Sequence, residues 1–319
     1  MASSITDVPG IRVGQVERTG GGWLTGVTGG LPPPGTVGAV DVRGGAPATH
    51  ETDALDPTTL VRTVDAVVLT GGSAFGLAAA SGAQLWCEEY GRRFRTAAGP
   101  GPIVPAAAIY DLGRGGDPGA RPGAQMGYDA AAAAGASGDF APVRRGNAGA
   151  GTGAAVDFGR FKGGVGTASL PMEGADAGIV VGALAVVNAA GAPAARTRPA
   201  AGRGGGYRPG GAGGPLNTTL CVVATNAVLD PAEARRTASS AHAGLARALD
   251  PSHTIVDGDV VFCLATGGRP LAGGGAGDAH LRLHVLAAEA VPLAILGAVA
   301  SAEAVRTPAA ELAKYPDLT

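Results

Sequence analysis

Short apolar runs and longer Ala/Leu-rich stretches alternate along the chain, with glycines between them. Short β-branched runs are typical of buried strands, and the longer stretches are typical of helices that cover a sheet. The alternation of the two predicts an α/β fold. The predicted strands are 64–69, 179–187, 220–225 and 254–265, and the predicted helices are 77–89, 231–249 and 279–304.

Two of the predicted helices carry further signals. Asp230 followed by Pro231 fits an N-cap residue and the first helical position. The longest apolar stretch, 281–300, resembles a membrane span in length, but polar residues and a proline interrupt it. It therefore predicts a helix of the protein core. The interrupting residues are Arg282, His284, Glu289 and Pro292.

A segment of Gly, Ala, Pro and Arg, residues 191–216, precedes one predicted strand. It has few side chains that could bury apolar surface, so we expect a flexible linker that ends at Asn217. Thr218 then begins the strand region. A hydroxyl residue at such a junction could attack the preceding carbonyl and leave Thr218 with a free α-amine, which titrates near about 7.7–8.0 and can act as its base. A plain linker followed by a strand is the alternative interpretation.

Composition narrows the class of protein. A chain of 319 residues, 45% hydrophobic and 16% charged, can bury a sizeable core, and we see no boundary between domains, so we predict one domain, 1–319. The formal charge of −2 and the lack of a basic run argue against nucleic-acid and membrane partners.

Three cysteines without CxxC spacing are expected to be buried thiols. The N-terminus lacks a signal-peptide layout, so we expect a cytoplasmic protein.

Two local motifs allow a ligand-binding interpretation. His280 and His284 lie four residues apart on a predicted helix, but no third ligand accompanies them, and we expect no metal site. Gly71, Gly72 and Ser73 follow a predicted strand in a turn that lacks the GxGxxG spacing of nucleotide sites. Its glycines could simply let a helix approach the sheet closely. Alternatively, its amides could donate hydrogen bonds to a substrate carbonyl.

Asp257 and Asp259 flank Gly258 within the predicted strand 254–265. Residues two apart on a strand point to one face, so the two carboxylates would repel each other unless a cation lies near them. A protonated α-amine at Thr218 would be such a cation. The alternative is an Asp-Gly turn whose carboxylates are solvated or bind their own backbone.

Seven blocks of sequence, distributed over nearly the whole chain, resemble the P1-family peptidases. These are the DmpA-type N-terminal-nucleophile aminopeptidases, which include β-aminopeptidases and nylon-oligomer (6-aminohexanoate) endohydrolases. The blocks are TDVPGIRVG (6–14), DVRGGAP (41–47), VLTGGSAFGL (68–77), PIVPAAAIYDL (102–112), GNAGAGTG (146–153), KGGVGTA (162–168) and NTTL (217–220).

The resemblance implies a four-layer αββα sandwich of the N-terminal-nucleophile type. It also implies self-cleavage between Asn217 and Thr218, which would leave an α chain of residues 1–217 and a β chain of residues 218–319. Relatives of this kind further suggest a homo-oligomer of αβ units, a tetramer. Neither a metal nor an organic cofactor is needed for this chemistry.

The resemblance assigns roles to individual residues. Thr218 matches the nucleophile, and Tyr110 and Asn188 match two residues near the reacting centre that can donate to an oxyanion. The Asp257/Asp259 pair is similar to two aspartates of the nylon-oligomer hydrolases, where the DmpA aminopeptidases carry Ser and Glu. Together with a Thr nucleophile in place of Ser, the pair favours the nylon-hydrolase branch.

One active-site residue of the nylon hydrolases has no clear match. Those enzymes carry a lysine soon after the Gly-Ala-Gly block, where this chain has none between 154 and 160. Lys162 follows shortly. It could lie near Thr218 and lower the pKa of the nucleophile, or it could pair with a carboxylate at the surface.

The sequence therefore predicts a self-processing amide hydrolase in which Thr218 forms an acyl-enzyme that water resolves. The candidate substrates are N-terminal residues of peptides, β-amino-acid amides and ω-amino-acid oligomers. One alternative is an acyltransferase of the ornithine-acetyltransferase type, which also cleaves itself at Thr. Another is a non-catalytic protein whose glycine loops hold a small ligand.

Overall fold

Two five-stranded sheets form the centre of the protein. The structure, a computed structural model, describes residues 3–92, 94–97, 99–194, 216–272 and 278–316. In spatial order, the first sheet consists of β1 (Arg12–Gly20), β2 (Trp23–Leu31), β5 (Val67–Thr70), β8 (Ala106–Ala108) and β4 (Thr49–His50). The second consists of β11 (Gly164–Pro171), β12 (Val180–Asn188), β14 (Thr218–Ala227), β16 (Val260–Arg269) and β3 (Val37–Val42).

Helices cover the outer faces of both sheets, and short elements connect them. The described helices are α1 (Ser73–Gly76), α2 (Ala79–Glu89), α3 (Ala124–Ala136), α4 (Pro231–Ala248) and α5 (Asp278–Ala300). Single 3-10 turns lie at Ile5–Asp7, Asp53–Leu55, Gly149–Gly151 and Gly174–Asp176. The two-stranded pairs are β6 (Phe94–Thr96) with β7 (Gly99–Gly101), β9 (Ala155–Val156) with β10 (Phe161–Lys162), β13 (Ala192–Pro193) with β15 (Leu249–Asp250), and β17 (Val305–Arg306) with β18 (Glu311–Leu312).

The layers pack in the order helix, sheet, sheet, helix. The alternation of side chains along a strand explains how β14 serves two cores at once. Leu220 and Val222 point into the core between the two sheets, whereas Cys221 and Val223 point into the core shared with α4 and α5. A third core joins the first sheet to α2 and α3. The predicted four-layer αββα sandwich is therefore confirmed.

Glycines allow helices to pack closely against neighbouring helices and strands. A Cβ built on Gly127 of α3 would lie 1.8 Å from the carbonyl oxygen of Ala79 in α2, and one on Gly166 of β11 would lie 2.1 Å from that of Ala294 in α5. Any side chain at these two positions would push a helix away from its neighbour. This close packing accounts for part of the high glycine content.

The predicted start of α4 is confirmed. The Asp230 side chain accepts a hydrogen bond from the Glu233 amide, and the Glu233 carboxylate accepts one from the Asp230 amide, both at 2.8 Å. This reciprocal pair is a capping box, and Pro231 is the first helical residue.

Helix α5 is long and apolar enough to cross a membrane by length and composition alone. In the structure it packs against β11 and β12, and its buried side chains include Leu283, Val291 and Ile295. It is therefore a core helix, as predicted. Its last helical residue is Ala300, four residues before the predicted end.

The predicted linker 191–216 lies mostly outside the described residues, which omit 195–215. Its first residues are ordered. Ala192 pairs with Asp250 and Pro193 with Leu249, so the segment begins as a strand and not as a loop. The three cysteines, Cys87, Cys221 and Cys263, are buried free thiols, as predicted.

Candidate active site

Thr218 is the first residue of β14. It is buried, with only 3% of its surface exposed. Its Oγ1 donates a hydrogen bond to the carbonyl oxygen of Asn217, at 2.5 Å. The hydroxyl therefore lies directly beside the carbonyl group of the peptide bond that precedes it. The hydroxyl is thus a neighbour of the carbonyl group that a self-cleavage reaction at this bond would attack.

The Asn217 carbonyl is held by a second donor. The Gly258 amide donates to the Asn217 oxygen at 2.8 Å, and the Asn217 amide donates to the Val256 oxygen at 2.9 Å. A backbone amide that binds a carbonyl oxygen stabilises the negative charge that forms there during nucleophilic attack. Sequence reasoning missed this donor, although the glycine between two aspartates was visible.

Asp257 and Asp259 do not lie within a strand, so the prediction of a strand over 254–265 is wrong at its beginning. β16 starts at Val260, and residues 254–259 form a turn and a single bridge to Asn217. The bridge between Asn217 and Asp257 keeps the register of the β14–β16 ladder, and the ladder is interrupted between them, where the Thr219 amide bonds to the Asp259 side chain. The alternative of a Gly-containing turn whose carboxylates bind backbone groups is the one that the structure supports.

The two carboxylates bind backbone amides close to Thr218 in sequence and in the sheet. Asp257 accepts hydrogen bonds from the Ala190 amide at 3.2 Å and from Thr254. Asp259 accepts one from the Thr219 amide at 2.8 Å. Burial, and then the charge of Asp259, raises the pKa of Asp257. The turn thus places two close acidic groups next to the residue that would carry a new α-amine.

Two histidines, His253 and His242, support Asp259. The amide and Nδ1 of His253 contact the second oxygen of Asp259 at 2.9 and 2.8 Å. The His253 ring packs edge-on against the ring of His242, with centroids 4.8 Å apart. Nε2 of His242 lies 3.0 Å from the Asp41 carbonyl oxygen, and burial lowers the pKa of His242 to about 4. His242 is therefore neutral near neutral pH.

Asn188, the last residue of β12, is the direct cross-strand partner of Thr218. Its Oδ1 accepts hydrogen bonds from the Ala155 amide at 3.1 Å and from Nη1 of Arg114 at 2.6 Å. Two donors on Oδ1 fix the orientation of the side-chain amide. Its Nδ2 consequently faces the other way, where it donates to the Tyr110 carbonyl oxygen at 3.3 Å.

Tyr110 thus contacts Asn188 through its backbone carbonyl oxygen and not through its side chain. Its side chain is half-buried, and within the described part of the chain its hydroxyl has no hydrogen-bond partner. The phenol remains available as a donor to a bound substrate. Arg114, which fixes Asn188, was not recognised in the sequence, since an arginine in a glycine-rich loop carries no local signal of its partner.

Lys162 is fully buried, so its predicted pairing with a surface carboxylate is wrong. Its Nζ donates to the carbonyl oxygens of Gly151 and Gly163 at 2.7 and 2.8 Å. Burial, and then the charge of nearby Arg114, lowers the pKa of Lys162 to about 7, while Asp111 opposes this shift. Lys162 therefore lies near Arg114 and Asp111, and Arg114 in turn contacts Asn188.

Burial of Lys162 predicts a specific dependence of stability on pH. The pKa in the folded state lies below that of the unfolded chain, so between about pH 7 and pH 10 the unfolded state binds more protons. The free energy of unfolding should therefore rise with pH over this window. In Lys162→Met, urea unfolding at pH 7, 8.5 and 10 should show a shallower rise.

The other lysine of the chain provides the control. Lys314 lies at the surface, where it pairs with Glu303 at 2.9 Å. Lys314→Met should leave the pH dependence of unfolding as it is in the wild type. Equal slopes for the wild type and Lys162→Met would contradict the burial of a neutral lysine.

The amides of Gly71, Gly72 and Ser73 are not free substrate donors, which corrects that interpretation. They bond to the Gly26 oxygen at 2.9 Å, to Oδ1 of Asp111 at 2.7 Å and to the Ile109 oxygen at 2.9 Å, respectively. The glycines serve close packing instead. A Cβ on Gly71 would lie 2.3 Å from Oδ2 of Asp111.

His280 lies 2.9 Å from Glu233 of the neighbouring helix, which gives it a structural ion-pair partner. No group of three or more His, Cys, Asp or Glu residues within the described ranges is arranged to hold a metal ion.

Comparison with known proteins places this site in a family. The sequence profile of peptidase family S58 matches residues 3–312. An uncharacterized aminopeptidase of Mycobacterium tuberculosis is 50% identical, with 83% of this chain and 82% of that protein covered. A counterpart in Mycobacterium leprae is 47% identical, with 83% and 79% covered.

Solved structures share the fold. A beta-aminopeptidase from Burkholderia sp. superposes with a TM-score of 0.74 at 27% identity, over 98% of this chain and 91% of that chain. The L-aminopeptidase D-Ala-esterase/amidase from Ochrobactrum anthropi, a variant of the Ntn hydrolase fold, gives 0.73 at 23% identity over the same shares. The chain is thus an amide-bond hydrolase with an Ntn hydrolase fold, and the alternative of a non-catalytic binding protein is overturned. By sequence and by fold, this chain belongs to peptidase family S58.

Proposed function

We propose that the chain cleaves itself before Thr218 and then uses Thr218 as the N-terminal nucleophile of an amide hydrolase. The single observation that carries this proposal is the pair of donors on the Asn217 carbonyl oxygen, Oγ1 of Thr218 at 2.5 Å and the Gly258 amide at 2.8 Å. One donor is the nucleophile itself, and the other stabilises the oxyanion that its attack creates.

Self-cleavage proceeds in two steps, an acyl shift from nitrogen to oxygen and the hydrolysis of the resulting ester. Oγ1 of Thr218 adds to the Asn217 carbonyl carbon as its proton is withdrawn, and the C–N bond breaks as the Thr218 nitrogen takes up a proton. The product is an ester between Asn217 and Thr218. Water then hydrolyses this ester, which leaves a carboxylate on Asn217, the Thr218 hydroxyl and a free α-amine.

The new α-amine is the base for substrate turnover. It would lie close to Asp257 and Asp259, whose carboxylates orient it and tune its pKa, and its unprotonated form is the base. It takes the Oγ1 proton as Thr218 attacks the substrate carbonyl, and it returns that proton to the leaving amine. Nδ2 of Asn188 and the hydroxyl of Tyr110 are the donors for the substrate oxyanion. Water resolves the resulting acyl-enzyme.

The substrates we propose are linear amides with a free amine near the scissile bond. The relatives named as aminopeptidases, and the Burkholderia beta-aminopeptidase of similar fold, support peptides and β-amino-acid amides. The Thr nucleophile and the Asp257/Asp259 pair support 6-aminohexanoate oligomers, because they resemble the nylon-oligomer hydrolases. These substrates need the same acyl-enzyme chemistry and differ in the spacing between amine and carbonyl.

The test combines intact mass with turnover of purified wild-type protein. We expect two fragments, the smaller beginning Thr-Thr-Leu-Cys, and release of p-nitroaniline from β-alanyl or L-alanyl p-nitroanilide or of monomer from 6-aminohexanoate oligomers. The same assay with ornithine added tests the acyltransferase alternative, which predicts acylated ornithine in place of free acid. A chain that stays whole and hydrolyses none of these amides would overturn the proposal.

A further inference from the structure

Arg114 is the starting point, because its position next to the nucleophile is held firmly. Its Nη1 donates to the carbonyl oxygen of Gly153 at 2.5 Å and to Oδ1 of Asn188 at 2.6 Å. Its own carbonyl oxygen accepts a hydrogen bond from the Thr307 hydroxyl at 2.5 Å. The guanidinium is therefore held in direct contact with Asn188, which is the cross-strand partner of Thr218.

The charge of Arg114 has no carboxylate partner within 4.0 Å in the described part of the chain, and its Nε and Nη2 make no hydrogen bond there. The nearby Asp111 directs one oxygen to the Gly72 amide instead. Lys162 adds a second basic group on this side. Nε and Nη2 of the half-buried Arg114 reach solvent and are accessible to a ligand. The planar guanidinium fits a carboxylate in two-point contact.

The opposite side of the nucleophile is acidic. In the second sheet, β14 lies between β12 and β16. Arg114 contacts the end of β12, whereas Asp257 and Asp259 directly precede β16. Thr218, at the start of β14, therefore lies between the strand end that Arg114 contacts and the acidic turn, from which Oδ1 of Asp257 reaches back to the Ala190 amide. A substrate with separated opposite charges would align its scissile amide across this gap.

We propose that Arg114 binds the carboxylate of the leaving group, so that the preferred substrates are short zwitterions: two amino acids joined by one amide, with the ammonium toward the aspartates. The inference rests on the proposed function and specifies its substrate class. The reverse orientation would bring the ammonium to Arg114, where like charges repel. Longer chains, amides and anilides lack a carboxylate so close to the scissile bond.

The test compares matched substrates. Processed wild-type enzyme is assayed with β-alanyl-L-alanine and with its C-terminal carboxamide, and the ratio of the two kcat/KM values is measured. We expect the free acid to be preferred at least about tenfold, chiefly through KM, as for one charge-assisted contact. Equal values for the two substrates in the wild type would overturn the inference.

Variants assign the preference to Arg114. In Arg114→Gln the ratio should fall to about one, whereas Arg114→Lys should retain part of it, since the charge remains but the two-point contact does not. Arg121→Gln is the control, because this loop arginine lies over the Phe75 ring at 3.7 Å. It should keep the wild-type ratio. A ratio unchanged in Arg114→Gln would also overturn the inference.

The outcomes separate this inference from the proposed function. Turnover of both dipeptide forms at equal rates keeps the hydrolase and removes the role of Arg114. Absence of turnover of either form, with an unprocessed chain, removes the hydrolase itself. Since the wild-type ratio decides the substrate class, poor folding of Arg114→Gln leaves the test intact, and Arg114→Lys then reports on the side chain.

Discussion

Thr218→Ala should remain a single chain of 319 residues and lose amide hydrolysis altogether, whereas the wild type separates into residues 1–217 and 218–319. Alanine lacks the only hydroxyl that contacts the Asn217 carbonyl oxygen within the described part of the chain. Without it, neither the ester of self-cleavage nor the acyl-enzyme can form. Removal of a nucleophile of this kind typically lowers kcat by at least about 10⁴-fold. Intact mass and p-nitroanilide turnover measure the two losses separately.

Thr218→Ser is the matched control for this variant. Serine keeps the oxygen and loses only a methyl group, so processing and turnover should persist at reduced rates. N-terminal sequencing of the small fragment identifies the cut peptide bond. Cleavage of Thr218→Ala at the same bond would show that another group performs the reaction, and it would remove Thr218 from the centre of the mechanism.

The elements of the fold that could be predicted are those whose determinants are local. The start of α4 and the apolar run of β12 are encoded by neighbouring residues, and both were predicted to within a residue or two. The strand over 254–265 was predicted too early because the residues before Val260 are also apolar or β-branched. The ladder is interrupted before Val260, where the Thr219 amide bonds to the Asp259 side chain, a contact between residues 40 positions apart.

The residues of the candidate site also fall into those that the sequence could identify and those that it could not. Thr218 and Asn188 were visible through the family resemblance, and their pairing across β12 and β14 follows from the sheet. Arg114 could not be found, because it acts on Asn188 from 74 positions away. The surface pairing considered for Lys162 fails for a related reason, because no sequence pattern marks the backbone carbonyls of Gly151 and Gly163 that bind its buried Nζ.

Gly258→Ala should slow self-cleavage by about a hundredfold or more. A Cβ at this position would lie 2.7 Å from Oγ1 of Thr218 and 2.8 Å from the Ala46 carbonyl oxygen, distances that a carbon atom cannot adopt without displacement. The turn must then move away from Thr218, and with it the amide that donates to the Asn217 oxygen. Loss of one oxyanion donor costs about 10²- to 10³-fold in rate.

The time course of processing distinguishes this effect from general damage to the fold. Fresh Gly258→Ala protein should accumulate as the uncut chain and convert slowly, while its far-ultraviolet circular dichroism matches that of the wild type. Gly138→Ala is the control, because a Cβ on that exposed glycine meets no atom within 4 Å. Processing of Gly258→Ala at the wild-type rate would mean that the Gly258 amide does not stabilise the oxyanion. The negative charge at Asn217 would then need another donor, so the turn that carries the two aspartates would serve the substrate step alone.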